Sequence, residues 1–283
     1  MNNTIKISVA LVSAAFAGAA TAQVTVHSNN PGVGDLFNNL GGSNQGQAIA
    51  GSSWFYNNTR QNGSVGISTA HARSGNGSAF FAGAADPSKA DIELLSGGTN
   101  FGGNNFATSA LGTLGGLTSL RYEWYRDSSS TARADLHPVV RILVDADGNL
   151  ATTGDRGSII FERAYNGGGV TTNAWVFEDI FAGPTGNMWS VGAGMSFAQL
   201  GYGITLAGWQ AGAGTIGGSS AVLGLSLGIG SGWGGTFNGA VDNVTVGFVG
   251  AAPVTYNFEV IPAPGAAAVL GLGAIFAGRR RRN

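Results

Sequence analysis

The sequence predicts an all-β protein whose body is an antiparallel β-sandwich of jelly-roll-like topology, and three observations support this fold class. Short runs rich in β-branched and aromatic residues recur along the chain, as strands require. Glycine accounts for 49 of the 283 residues without a Gly-X-Y period, which excludes collagen and indicates many turns. Helical patterns are sparse, so the core is expected to form between sheets.

Glycine-rich or polar turns separate the predicted strands. These strands comprise residues 120–125, 139–144, 158–165, 174–178, 220–228 and 239–247. Residues 145–149, Asp-Ala-Asp-Gly-Asn, predict the turn of a hairpin. An EF-hand loop is disfavoured there because glycine stands fourth rather than sixth and no Glu follows in register. Pairing between strands that are distant in sequence favours a jelly roll.

The body, residues 23–259, is predicted to be one domain, with a boundary near Gly115 as the alternative. Residues 28–65 are rich in Asn, Gly and Ser and suggest a loose first section. Residues 86–89 and 197–200 are the candidates for short helical turns.

The charge distribution excludes several classes of function. Five of the 14 basic residues lie in the two terminal segments, which leaves nine against 15 acidic residues and a net charge of −6 for the body. A body with this net charge lacks the excess of basic residues that binding of nucleic acid requires. The chain contains no cysteine, so neither a disulfide framework nor a thiolate site can form.

The first 22 residues predict a secretory signal peptide. Lys6 gives a positive start, residues 7–20 are mostly apolar, and Ala20-Thr21-Ala22 matches the small-residue cleavage pattern. Cleavage is expected after Ala22. The Sec translocon and signal peptidase are the partners that this leader implies.

The last segment, residues 260–283, combines a proline motif, a short apolar run and a basic cluster. Pro262-Ala263-Pro264 precedes the apolar residues 266–278. The cluster consists of Arg279, Arg280, Arg281 and Arg282. Because arginines resist transfer through hydrocarbon, a short transmembrane helix here would leave them in the cytoplasm and the body outside. The run is shorter than the roughly 20 residues of a full span, which favours a transient anchor.

This tail resembles the PEP-CTERM sorting signal, which exosortases recognise. The family pattern is a Pro-Glu-Pro-like motif, a short helix and terminal arginines, and Ala263 stands where Glu is usual. The resemblance covers about the last two dozen residues. It implies an exosortase-like partner that processes the chain at this anchor. An ordinary tail anchor is the alternative.

A second resemblance concerns the end of the body. Residues 230–235, Gly-Ser-Gly-Trp-Gly-Gly, lead into residues 237–247, which contain Asp242-Asn243-Val244. This segment is similar to the closing strands of exported bacterial jelly-roll domains, which are related to lectin-like sandwiches. The resemblance implies a fold rather than a ligand.

No residue pattern assigns a catalytic or metal site. The three histidines are His27, His71 and His137, and Asp135 lies near His137 in sequence, but no G-x-S-x-G elbow places a nucleophile. His137 precedes Pro138 and is expected at the start of a strand. No zinc spacing occurs, and structural calcium is compatible with a sandwich but not indicated by the sequence.

Two groups of residues are compatible with a protein that cleaves or binds carbohydrate. Glu123, Glu162 and Glu178 are expected to face outward from strands, although a glycoside hydrolase or lyase would need two carboxylates in one cleft. Trp175, Trp189, Trp209 and Trp233 could stack on sugars or fill the core. Trp209 and Trp233 lie near glycines and are the candidate sugar platforms.

The expected function is therefore that of an exported, envelope-sorted, non-enzymatic protein without a cofactor. It would be anchored transiently in the inner membrane and then reach the cell surface or the extracellular matrix. A module that binds exopolysaccharide is the alternative, and a hydrolase or lyase is the third candidate.

Overall fold

The computed structural model describes residues 21–84, 87–98, 107–167, 169–181, 186–194 and 202–263. Its strands, in chain order, are β1 (Ala22–Pro31), β2 (Phe37–Asn39), β3 (Gln45–Ala48), β4 (Trp54–Arg60), β5 (Gly63–Ser68), β6 (Ser78–Gly83), β7 (Lys89–Leu95), β8 (Gly112–Thr113), β9 (Leu117–Arg126), β10 (Val139–Asp145), β11 (Arg156–Phe161), β12 (Trp175–Asp179), β13 (Asn187–Gly192), β14 (Ile204–Thr205), β15 (Ala221–Ile229), β16 (Phe237–Phe248) and β17 (Val254–Ile261). The described part also has one α-helix, α1 (Leu206–Ala211), and 3₁₀ turns at Leu114–Gly116 and Arg163–Tyr165.

The strands form two sheets, which confirms the all-β sandwich prediction. The first sheet runs β1-β17-β16-β6-β5-β2, with β9 and β12 continuing from the other edge of β16. The second runs β14-β13-β11-β10-β15-β7-β4-β3, and β8 pairs with β15. Among the described strands, only the β1–β17 pair is parallel.

The core lies between the two sheets. Trp54 of β4 packs edge-on against Phe258 and Tyr256 of β17, with ring centroids 5.0 and 5.2 Å apart. Tyr56 of β4 also crosses the interior, where its hydroxyl donates to Asp35 Oδ2 at 2.5 Å and accepts from the Ile67 amide at 3.0 Å. Large aromatic side chains therefore join the sheets by both dispersion and hydrogen bonds.

Five of the six predicted strands match β9, β10, β12, β15 and β16, and β10 pairs with β11 as the hairpin prediction required. The strand predicted at 158–165 was too long: β11 ends at Phe161, and Arg163–Tyr165 form a 3₁₀ turn. Gly148 in the connecting loop has φ +75°, a conformation that favours glycine.

Two predictions about the first half were wrong. Residues 28–65 are not loose, because they contribute β2 to β5 and the fully buried Tyr56 and Val65. Lys89 starts a strand instead of ending a helical turn, since Ala90, Ile92 and Leu94 alternate into the core.

The predicted terminal helices lie outside the described residues except for their inner ends. The second candidate helical turn, residues 197–200, also lies outside them. Within the described part of the chain, no helix is long and apolar enough to cross a bilayer.

Candidate functional site

A pocket of about 370 Å³ opens on the outer face of the second sheet. Strand alternation places it there: Val140 and Ile142 of β10 point into the core, and Arg141 between them points outward. The pocket is lined by Lys89, Arg133, Leu136, Arg141, Ile160, Glu162, Tyr165, Trp189, Val191 and residues 230–233. Strands β7, β10, β11 and β13 thus supply its floor, and the loop after β15 supplies one wall.

Aromatic rings from two parts of the chain contribute to the lining. Trp189 and Tyr165 lie with ring centroids 6.3 Å apart, and Tyr202 contacts both, at 5.9 Å from Trp189 and 4.5 Å from Tyr165. Trp233, in the loop after β15, packs edge-on against Phe237 with ring centroids 4.9 Å apart and is only half-buried. Partly exposed aromatic rings beside polar groups are typical of small-molecule and sugar sites.

A buried ion-pair group forms the charged part of the floor. Asp91 of β7 is fully buried and pairs with Lys89 Nζ at 2.8 Å and with Arg141 Nη1 at 2.9 Å. Burial, followed by the nearby Arg141 charge, lowers the pKa of Lys89 to about 8. One carboxylate therefore holds two cations at the pocket floor.

A second, smaller cavity of about 160 Å³ shares Arg141 and Val191 with this pocket, and we refer to the two neighbouring cavities together as the groove. Glu93 lines the smaller cavity and accepts a hydrogen bond from Asn57 Nδ2 at 2.6 Å. Burial and then the neighbouring Asp91 raise the pKa of Glu93 to about 7. The groove thus carries hydrogen-bonding groups along its length.

Glu162 is the acidic group of the larger cavity. Burial raises its pKa, and the opposing influences are the positive charges of Arg141 and Arg133 and a hydrogen bond from Trp189. Arg133 itself pairs with Asp135 at 2.6 Å near the surface. The pocket therefore offers cations, an anion and indole faces to a polar ligand.

The structure separates the two candidate sugar platforms. Trp209, in α1, is fully buried, and its indole N–H donates to the Met188 carbonyl at 3.3 Å. The prediction that Trp209 is a sugar platform is therefore wrong, because a ring without an exposed face cannot stack on a sugar. Trp233 lines the pocket. Trp189 lines it too, whereas Trp175 lies on β12 of the other sheet.

The histidines lie in three different environments. His137 is buried beside Tyr122 and Trp124, and burial lowers its pKa to about 3. Asp135 pairs with Arg133, and the contacts of the His137 ring are those of a buried neutral imidazole. His71 stacks on Tyr125 at 4.4 Å, and His27 is exposed on β1.

The three glutamates predicted to face outward are also dispersed. Glu123 of β9 pairs with Arg73 at 2.8 Å on the first sheet. Glu178 is not outward-facing: it accepts from Trp124 Nε1 at 3.2 Å and pairs with Arg163 at 3.0 Å. Of these three carboxylates, Glu162 is the one in the pocket lining.

The sorting motif lies at the boundary of the described residues. Pro262 and Ala263 are exposed and directly follow β17. Pro264, Arg279, Arg280, Arg281 and Arg282 lie outside the described part.

Sequence reasoning missed Lys89, Arg141 and Tyr165 as pocket residues. The alternation of polar and apolar residues from Lys89 to Leu95 would have revealed β7 and its outward charges. That Arg141 and Trp189 share a face follows only from the pairing of β10 with β11 and of β11 with β13.

Compared with known proteins, the chain matches no protein-family model, and no curated protein matches it.

Proposed function

We propose that this chain is an exported, envelope-sorted surface protein that acts by binding rather than by catalysis. The observation that carries the proposal is the combination of a leader at residues 1–22 with a three-part tail at residues 260–283. Both segments give the same orientation, with the body outside and the arginines inside.

The position of the tail motif supports processing after the body has folded. β17 ends at Ile261, and the exposed Pro262 and Ala263 directly follow this strand. A membrane-bound sorting enzyme could reach them without unfolding the sandwich. The expected route is secretion, transient anchoring in the inner membrane, cleavage at the motif, and release to the surface or matrix.

Cell fractionation and intact mass test this route. The full chain, expressed in a bacterium that carries an exosortase, should lose both ends and reach the surface fraction. A variant with both Pro262→Ala and Pro264→Ala should keep its tail and remain in the inner membrane. A Pro253→Ala variant, outside the motif, serves as the matched control and should be processed normally.

Two results would contradict the proposal. One is native protein in the cytosol with both termini intact. The other is removal of the tail to the same extent in the motif variant and in the control.

A second candidate function, carbohydrate binding, is favoured by the groove on the second sheet. Trp233 and Trp189 offer indole faces to the apolar side of a sugar ring. Lys89, Arg141 and Glu162 line the same cavity and can bond hydroxyl groups. An extracellular polysaccharide is the ligand class that fits an exported chain with this lining.

A glycan array followed by calorimetry tests this candidate. Trp233→Ala should weaken binding of a retained glycan about tenfold or more, since a central aromatic contact is lost. Trp175→Ala, which removes a half-buried indole from β12 of the first sheet, is the control and should bind normally. Retention of no glycan, or equal binding by both variants, would count against this function.

The hydrolase or lyase alternative is weaker on this geometry. Glycosidases need two carboxylates that face one cleft. Glu162 lines the larger cavity, and the second carboxylate of the groove, Glu93, is fully buried in the smaller cavity and bonded to Asn57. Glu123 and Glu178 are engaged by Arg73 and Arg163. We therefore keep binding as the proposed activity.

A further inference from the structure

Three carboxylates converge where the β10–β11 hairpin begins to open. Asp145 ends β10, Asp147 follows two residues later, and Asp155 immediately precedes β11. One carboxylate oxygen of each lies within 4.8 Å of the others. None of the three lines the 370 Å³ pocket, although the same hairpin contributes Arg141 and Ile160 to its floor.

Two oxygen atoms of this cluster are buried without a hydrogen-bond partner. Asp145 is fully buried; its Oδ2 accepts from Arg156 Nε at 3.1 Å, whereas its Oδ1 has no partner. Asp155 Oδ1 is likewise buried and without a partner. A carboxylate oxygen removed from water without a partner is costly, so these two atoms are free to bind a cation that would offset this cost.

The backbone of the loop holds the cluster in place. The Asp147 amide donates to Asp155 Oδ2 at 2.9 Å, which fixes the two side chains next to each other. Arg156 is itself anchored, since its guanidinium donates to the carbonyls of Ala107 and Leu150, both at 3.2 Å. The carboxylates are therefore held close together despite their mutual repulsion.

The charges of the cluster indicate the valence of the cation that would bind there. Three carboxylates carry −3, and Arg156 beside Asp145 compensates one of these charges, so a divalent cation would neutralise the remainder. The ligands are all oxygen atoms, which suits hard cations and disfavours zinc or copper. Calcium tolerates irregular shells of carboxylates, loop carbonyls and water, whereas magnesium requires a near-ideal octahedron.

We propose that Asp145, Asp147 and Asp155 form a calcium site that closes the β10–β11 hairpin. The order of ligands differs from that of an EF-hand, which is why the sequence alone favoured a plain turn. By its exposed position, Asp147 completes the shell from the solvent side, while Asp145 and Asp155 form the inner wall. The site does not depend on export, and none of its three carboxylates lines either cavity of the groove.

Calcium titration of the full chain tests the proposal. After treatment with EDTA, addition of CaCl₂ should give saturable binding in calorimetry, with Kd on the order of 0.1–1 mM as in extracellular modules. Thermal unfolding should shift upward by a few degrees at ten times that concentration. Matched KCl should give neither effect.

Two variants separate a ligand role from a structural one. Asp147→Asn and Asp155→Asn should weaken calcium binding tenfold or more. In EDTA, Asp147→Asn should melt at the same temperature as the parent or higher, because one like charge is gone, while in calcium it should melt lower. Asp179→Asn, which removes a carboxylate from the other sheet, is the control and should bind calcium like the parent.

The opposite results would overturn the site. They are an absence of calcium binding by the folded parent up to 10-fold above the expected Kd, unaltered affinity in both cluster variants, or an equal loss in the Asp179→Asn control.

Discussion

At the residue scale, His137 shows how one buried side chain can join two strands and a turn. Its Nε2 accepts from the Arg163 amide at 3.0 Å, and Tyr122 Oη lies 3.3 Å from its Nδ1. The tyrosine hydroxyl in turn donates to the Pro138 carbonyl at 3.0 Å. This pattern of hydrogen bonds places the proton of the neutral imidazole on Nδ1.

Protonation of His137 should destabilise the fold. The pKa of His137 is about 3 in the folded protein and near 6.5 in the unfolded chain. The buried neutral ring therefore makes its full contribution to the free energy of unfolding above pH 6.5, and this contribution is lost as the pH falls toward 3. Between pH 7.5 and pH 5 this single group should cost on the order of 2 kcal/mol of unfolding free energy. Urea unfolding at both pH values measures it.

The matched variant is His137→Gln, whose side-chain oxygen can still accept from the Arg163 amide. Between pH 7.5 and pH 5, the free energy of unfolding of this variant should decrease less than that of the parent, by about 2 kcal/mol. His27→Gln, on an exposed strand position, should follow the parent curve. Identical pH dependence in the parent and His137→Gln would refute the assignment.

Asp242 and Asn243 illustrate a second residue-scale role. They occupy a bulge in β16, where the register with β9 shifts and Asn243 has φ +49°. Asp242 accepts from the amides of Ser74 at 3.1 Å and Phe258 at 3.0 Å. The Asp-Asn pair seen in the sequence therefore fills the place where β6 and β17 diverge along one edge of β16.

At the element scale, glycine decides how closely β15 approaches β7. Gly228 lies opposite Asp91, and an added methyl group would overlap the Ala90 carbonyl oxygen and the Asp91 carboxylate. The absence of a side chain at Gly228 thus provides the space in which Asp91 binds Lys89 and Arg141.

Gly228→Ala should therefore destabilise the second sheet. We expect a loss of about 2–3 kcal/mol, because the backbone on the opposite strand cannot easily yield. Denaturant midpoints measure the change. Gly203→Ala, at an exposed position with open space around its Cβ, is the control and should change stability by less than about 0.5 kcal/mol. If the two variants have the same denaturant midpoint, close packing at Gly228 does not determine the stability of the second sheet.

Strands in the second half were predictable because each is a strong local signal. β10 contains adjacent β-branched residues and ends at a polar turn with a glycine, so its hairpin with β11 followed from sequence. β4 and β5 were missed because Asn and Gly within 28–65 suggested a loose section. Tertiary packing outweighs this composition: Trp54 and Tyr56 fill the space between the sheets.

At the scale of the whole molecule, the fold class followed from sequence and the groove did not. Lys89 and Trp233 line one cavity although 144 positions of the chain separate them in the numbering. Their proximity depends on the order of the strands in the second sheet, and local patterns do not encode that order. Trp209 shows the same limit, since a glycine-rich neighbourhood did not predict its burial under β13.

The parallel pairing of β1 with β17 has a mechanical consequence. Gln23 lies beside Thr255 and Pro31 beside Ile261, so the chain enters this ladder at one end and leaves it at the other, roughly 20 Å away. Tension between the two termini would load all the rungs of the ladder together, in shear, instead of opening them one at a time. A sandwich held by its tail and pulled at its first strand is thus arranged to resist force.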